Sequence, residues 1–191
     1  MSWKIDEKLA EELTGSFLNS LGDKASDEMR SKTPGRVAKA WGELLSGYGI
    51  DEDGLYKTFP AAGDDLVLVR NIEFVSVCKH HLLPFTGVAH IGYAPNGRIL
   101  GLSKFVRIVN CFSRRLQTQE DMTREIGNSL VSHLNPEHLF VIAEAKHACI
   151  FCKGVKQMLP DAVTFFIHGK FKNYRENELL ALTRATNFLK N

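Results

Sequence analysis

Apolar positions at the start of the chain recur at helical spacing. Ile5, Leu9, Leu13, Phe17 and Leu21 fall on one stripe with charged residues between them, which predicts an amphipathic helix over 5–21 ended by Gly22. Thr33-Pro34 has the form of an N-cap followed by proline at the first helical position, predicting a second helix through Leu45 that stops at Ser46-Gly47. Residues 49–64 are rich in Gly, Asp and Pro and read as a linker. Residues 1–60 therefore read as a helical arm.

From Leu66 the pattern changes. Residues 66–77, rich in Val and Ile with Glu, Arg and Asn between them, read as a strand, and a second strand at about 86–94 follows a Leu83-Pro84-Phe85 turn. Asn96-Gly97 marks another turn before Ile99. Ser103 is placed to cap a helix running to Arg115. Thr118 with Asp121 three residues on resembles a capping box for a helix through Leu134. Residues 139–150 and 162–171 read as strands, and 173–189 as a final amphipathic helix carrying Leu179, Leu182 and Phe188. Strand pair, helix pair, strand pair, helix predicts an α+β domain with an antiparallel sheet over residues 61–191.

Composition narrows the class. At about 150 residues per domain, 191 residues support one domain plus the arm. Lys and Arg total 24 against 22 Asp and Glu, a net charge of +2, which argues against a general nucleic-acid binder. Met1–Gly15 has no apolar core of a signal peptide, and no run approaches the ~18 apolar residues of a membrane span. The four cysteines are too sparse for a disulfide scaffold. A cytoplasmic protein with no membrane partner is expected.

The densest chemistry is Cys78-Lys79-His80-His81. A Cys-x-x-His pair can offer one thiolate and one imidazole to the same divalent ion. A second cluster, His147-Ala148-Cys149 with Cys152 close behind, is expected at the end of another strand. Two Cys and one His would leave a fourth tetrahedral position open, with His80 and His147 beside it as acid or base groups. Spacing alone leaves the alternative open that these are ordinary buried cysteines and surface histidines. His90, His133, His138 and His168 lack such company and read as structural or surface residues, and Cys111 as core.

Ser103, Lys104 and Arg107 cluster at the start of a predicted helix, a natural anion site. Lys153 adds a cation after the second Cys cluster, and Arg36 and Lys39 pair at i, i+3 on the arm. There is no Walker loop, so side chains would have to hold any polyphosphate. Glu120, beside Gln119, can accept paired N–H donors from a purine edge, although alone it is explained by the helix dipole.

Read together, these clusters resemble GTP cyclohydrolase I. The resemblance is carried by Thr33-Pro34-Gly35-Arg36-Val37-Ala38-Lys39, by Ser76-Val77-Cys78-Lys79-His80-His81, and by Leu83-Pro84-Phe85-Thr86-Gly87. It continues through Gly101-Leu102-Ser103-Lys104, Arg107 and Gln117-Thr118-Gln119-Glu120, then Glu144-Ala145-Lys146-His147-Ala148-Cys149 and Lys153-Gly154-Val155. It implies the tunnelling fold, a four-stranded antiparallel sheet with helices on one face, assembled through pentamers into a homodecamer with active sites between subunits. It implies Zn²⁺ on Cys78, His81 and Cys149, proton transfer by His80 and His147, and guanine held by Glu120 with Gln119 beside it. Ser103, Lys104, Arg107 and Lys153 would line the ribose and triphosphate end, with Arg36 from a neighbouring subunit. The implied reaction converts GTP and water to formate and 7,8-dihydroneopterin triphosphate, with hydroxide adding at C8, ring opening, loss of formate and an Amadori rearrangement in which His80 and Ser103 handle protons.

The chain departs from that pattern. Lys79 stands where the family has Glu, and Lys153 where it has Arg, which keeps the charge and loses the bidentate fork. Residues 162–166 are more apolar than the family's Ser/Thr-rich strand. Cys152 is a competing thiolate, with Cys149 the preferred ligand. If Lys79 points inward it should favour neutral histidines and attract phosphate; if outward, nothing follows. Two other readings share these residues: an enzyme that stops at the ring-opened stage, and a non-catalytic paralogue that binds guanine nucleotide and zinc.

Overall fold

The computed structural model describes residues 3–63, 65–173 and 175–184. Helix α1 (Glu7–Ser20) is capped by Asp6, whose carboxylate accepts the Leu9 N–H at 3.0 Å, and Gly22 follows it at φ 59°. Helix α2 (Asp27–Leu44) packs against α1. The apolar stripe of α1 is not buried within the chain. Leu9, Leu13 and Phe17 are 50%, 63% and 64% exposed, and Leu18 is the buried residue of this helix.

The chain continues through β1 (Thr58–Pro60), β2 (Val67–Cys78), β3 (Pro84–Ala94), β4 (Arg98–Leu100) and α3 (Leu102–Ser113). It then forms β5 (Leu116–Gln117), α4 (Gln119–Leu134), β6 (His138–His147), α5 (Ala148–Phe151), β7 (Ala162–His168) and α6 (Glu176–Arg184). The main sheet has the order β5-β2-β3-β6-β7. The four expected strands are antiparallel to their neighbours, and β5 adds a two-residue parallel edge beside the end of β2.

β6 is an interior strand of the sheet, between β3 and β7, and is buried on both faces. Leu139, Val141, Ala143 and Ala145 join the core under α3 and α4, with Phe105, Ile108, Ile126 and Leu130. Phe140 and Ile142, one residue out of phase, face a second cluster with Phe171 and Leu179. The period-2 alternation thus sends alternate residues of β6 into two cores, and each buried Leu, Ile or Phe contributes about 1.5–3 kcal/mol. α6 covers part of the face opposite α3 and α4. Among the described residues no helix is long and apolar enough to cross a membrane.

The structure corrects several local expectations. α2 begins at Ser26, whose hydroxyl accepts the Met29 N–H at 3.2 Å, so Thr33 is not its cap and Pro34 lies inside the helix. A proline there costs about 3 kcal/mol; Ser26 with Asp27 and Glu28 in the first turn, plus packing on α1, outweighs it. Ser103 does not cap α3; Gly101 holds that position without a side-chain bond. Pro84 and Phe85 already belong to β3, and the turn before them is Lys79–Leu82, with Leu82 at φ 55°. The strand expected over 139–150 stops at His147. The segment read as a linker holds β1, which pairs with β4 and brings Leu55 into the core. Thr118 caps α4 as expected, accepting the Asp121 N–H at 3.1 Å. Residues 185–189 of the last predicted helix lie outside the described residues.

Candidate functional site

At the end of β2 the chain reverses tightly. The Cys78 N–H donates to the Leu83 carbonyl at 2.9 Å, and the His81 and Leu82 N–H groups both donate to the Cys78 carbonyl. This swings the His81 ring back until its Nδ1 is 3.7 Å from Cys78 Sγ. Across the sheet, β6 ends at His147 and the chain turns into α5, which carries Cys149. Since β3 separates β2 from β6, the two strand ends arrive on either side of Pro84 and Phe85, and the thiols close over them. The ligand atoms of Cys78, His81 and Cys149 all lie within 4.8 Å of one another.

This donor set fits a zinc ion. Zn–S of about 2.3 Å and Zn–N of about 2.0 Å in a tetrahedron give an S···N edge of about 3.5 Å, and the observed one is 3.7 Å. Burial first, and then Cys78 beside it, push the Cys149 thiol above its ordinary pKa. A cation bound there would take the thiolate forms and displace the thiol protons. Three protein ligands leave one tetrahedral position open. Cys152 is exposed and outside the trio, and Cys111 is buried in the core, where its sulfur accepts from Arg115 at 3.3 Å.

His147 stands beside the trio, with its ring stacked on Phe85 at 4.6 Å and only 2° from parallel. Its Nε2 is 2.7 Å from Gln119 Oε1. Burial lowers its pKa, only partly countered by the Glu120 carboxylate, which favours the neutral imidazole. Glu120 is exposed in the first turn of α4, while Gln119 is 1% exposed and fully engaged. Its side-chain nitrogen lies 2.8 Å from the Ala143 carbonyl, 2.9 Å from that of Ala162 and 3.2 Å from Thr164 Oγ1. His80 is exposed on the turn, edge-on to His81 at 6.2 Å. Lys153 is exposed just beyond α5, close enough to pull the Cys149 pKa down.

The remaining candidates lie elsewhere on the chain. The C-terminal end of α3 is beside Cys78, because Gln117 pairs with Cys78 and reaches back to the Phe112 carbonyl. Ser103 is ten residues up that helix, about 15 Å along its axis at 1.5 Å per residue. The Leu100 N–H, just before α3, bonds the Tyr93 hydroxyl, and Tyr93 pairs with Val67 at the opposite end of the β2–β3 ladder. Ser103 and Lys104 are thus at the far end from the cysteines of the same chain, with Arg107 midway along the helix. Arg36 is exposed within α2.

Sequence reasoning passed over four residues of this region. In the sequence Phe85 and Asp121 stand out only as parts of motifs, yet Phe85 supports His147 and Asp121 accepts from Lys79 Nζ at 2.8 Å. Thr123 and Thr164 complete the bonding around Gln119. Only Thr123 leaves a local trace, its i+4 spacing from Gln119 on one helix.

Comparison with known proteins adds an independent finding. A family model described as GTP cyclohydrolase I matches residues 10–185. The chain is similar to GTP cyclohydrolase 1 of Allorhizobium ampelinum, 44% identical over 181 residues, covering 93% of this chain and 90% of the relative. It is similar to GTP cyclohydrolase 1 of Streptomyces avermitilis, 39% identical over 186 residues with 95% and 92% covered. The protein of that name from Wolinella succinogenes is 42% identical over 170 residues, with 87% and 91% covered.

Proposed function

Because the chain belongs to the GTP cyclohydrolase I family and is an enzyme of that type, we propose that it hydrolyses GTP to formate and 7,8-dihydroneopterin triphosphate. The observation that carries this reading is the Cys78, His81 and Cys149 trio with His147 held beside it. Cys78, His81 and Cys149 would hold Zn²⁺. Bound there, the ion supplies Lewis acidity that makes water nucleophilic at neutral pH.

The chain's own residues divide the remaining work. Glu120 presents a carboxylate that accepts the N1–H and exocyclic amine of guanine, which orients the imidazole ring of the base. His147, half-buried beside the trio, transfers a proton at that ring as it opens. His80 and Ser103 handle protons in the sugar rearrangement. Lys104, Arg107, Lys153 and Arg36 hold the triphosphate by charge. Lys153 does so as a point charge without a guanidinium's fork.

Ser103 and Lys104 stand at the opposite end of α3 from the cysteines, with Arg107 midway along it, so a complete site would take them from a second copy. We therefore read the active form as a homo-oligomer, a toroidal decamer by resemblance, acting in the cytoplasm where its nucleotide substrate is found. The exposed stripe Leu9, Leu13 and Phe17 supports assembly. Residues 1–60 serve as its helical arm and 61–191 as its catalytic domain.

The test is to incubate purified, zinc-loaded protein with GTP and follow formate and pterin absorbance together. Formate with pterin is the expected result. Formate alone would reduce the reading to ring opening and move attention to Ser103 and His80. Neither product, from folded protein with zinc bound, would overturn it in favour of a nucleotide-binding paralogue.

A further inference from the structure

The hydrogens around Gln119 have one consistent arrangement. Thr123 Oγ1 is 2.8 Å from the Gln119 backbone carbonyl, which can only accept, so Thr123 donates there. Thr123 Oγ1 is also 2.6 Å from Thr164 Oγ1; with the Thr123 proton committed, Thr164 donates to it. Thr164 oxygen therefore meets the Gln119 side chain as an acceptor, at 3.2 Å. The carbonyls of Ala143 and Ala162, at 2.8 and 2.9 Å, are acceptors too. Three acceptors on one side require the NH2 group there. A flipped amide would set its oxygen against two carbonyls in a buried site, each unpaired group costing about 1–3 kcal/mol. The group facing His147 at 2.7 Å is consequently Oε1, which can only accept.

We propose that Gln119 is a positioning residue: its locked amide holds His147 as the Nε2–H tautomer and leaves the ring's lone pair on Nδ1. Phe85, stacked flat on the imidazole, fixes the plane while Gln119 fixes the rotation within it. The orientation of His147 is thereby tied to α4, β6 and β7 together, through residues that carry no charge. Both amide hydrogens of Gln119 are engaged by the protein, so the inference replaces the expectation that its side chain binds guanine. It rests on the reading of His147 as the proton-transfer group.

The test has two arms. Zinc-loaded protein labelled with ¹⁵N-histidine is sedimented and its ring nitrogens read by solid-state NMR, with His147 assigned by its loss in His147→Asn. The expected spectrum has His147 protonated on Nε2 and unprotonated on Nδ1, and a proton on Nδ1 alone overturns the proposal. Gln119→Met keeps the length and removes the amide. It is expected to give His147 as a mixture of tautomers with bound zinc unchanged, and to lower kcat by about 10- to 100-fold at unaltered KM for GTP. A raised KM at unchanged kcat would make Gln119 a substrate ligand and sink the idea, as would a single Nε2–H tautomer persisting in the variant. If Gln119→Met does not fold, the wild-type spectrum decides. Because the spectrum needs no turnover, a protein inactive on GTP would fail the functional reading and leave the tautomer assignment standing.

Discussion

Lys79 Nζ lies 2.8 Å from Asp121 Oδ2, joining the turn after β2 to the first turn of α4. The resemblance places a glutamate at this position, and the sequence left open whether the lysine acts on the histidines or faces away. Its ammonium engages the Asp121 carboxylate, on a side chain 46% exposed. That bond first, then one from Thr118, holds the Asp121 pKa down at about 2.

The pair makes a small, pH-dependent contribution. Asp121 has a depressed folded pKa, so its stabilisation is present above the ordinary value of 3.8 and disappears as pH falls through about 2. Lys79→Met should lower stability by about 0.5 kcal/mol at pH 7, as expected of an exposed pair. The difference from wild type should shrink between about pH 4 and pH 2, read by denaturant unfolding at each pH, while zinc content measured at pH 7 should match wild type. Loss of zinc in this variant would place Lys79 in the metal site instead.

Cys149→Ser and Cys152→Ser should separate cleanly. Cys149 belongs to the trio, while Cys152, three residues on, is exposed and outside it. Metal analysis of purified protein should find zinc retained in Cys152→Ser and lost, or weakened at least about tenfold, in Cys149→Ser. Retention in both variants would show that the two thiols substitute for one another.

His133 should confer stability in the acidic range. Burial pulls its pKa down, but the hydrogen bond to Asp53 at 3.0 Å and that to the Ser129 carbonyl at 2.8 Å outweigh burial, and the net direction is up. A raised folded pKa means stabilisation fully present below the unfolded value of about 6.5 and lost as pH climbs through the folded value. The melting temperature of His133→Gln should therefore fall further below wild type at pH 6 than at pH 8. Equal deficits at both would reduce His133 to its stacking on Tyr56, 3.9 Å away.

Leu13→Glu with Phe17→Glu should dissociate the assembly and spare the fold. Both side chains are more than 60% exposed within the chain, so surface substitution there should change monomer stability by only about 0.5 kcal/mol. Sedimentation velocity should show smaller species than wild type, with the helical circular dichroism retained. An unchanged sedimentation coefficient would mean that the stripe takes no part in assembly.

What the sequence determined by itself was local. The Thr118 cap, the stop at Gly22 and the Cys78-x-x-His81 pair each depend on residues within about one turn of one another, and each is found where the pattern placed it. Local rules misplaced the start of α2, because Thr33-Pro34 has the form of a helix start and only Ser26 and the packing on α1 reveal that the helix is already under way. The resemblance names Cys149 as the thiol that meets Cys78, and the tertiary structure supplies the reason: β3 stands between β2 and β6, and the chain leaves β6 as a helical turn. It also decided that Lys79 engages Asp121, that Gln119 holds His147, and that Ser103 lies a helix length from the thiols. These are relations between segments far apart in the chain, and their geometry follows from strand order and register, which no single stretch of residues encodes.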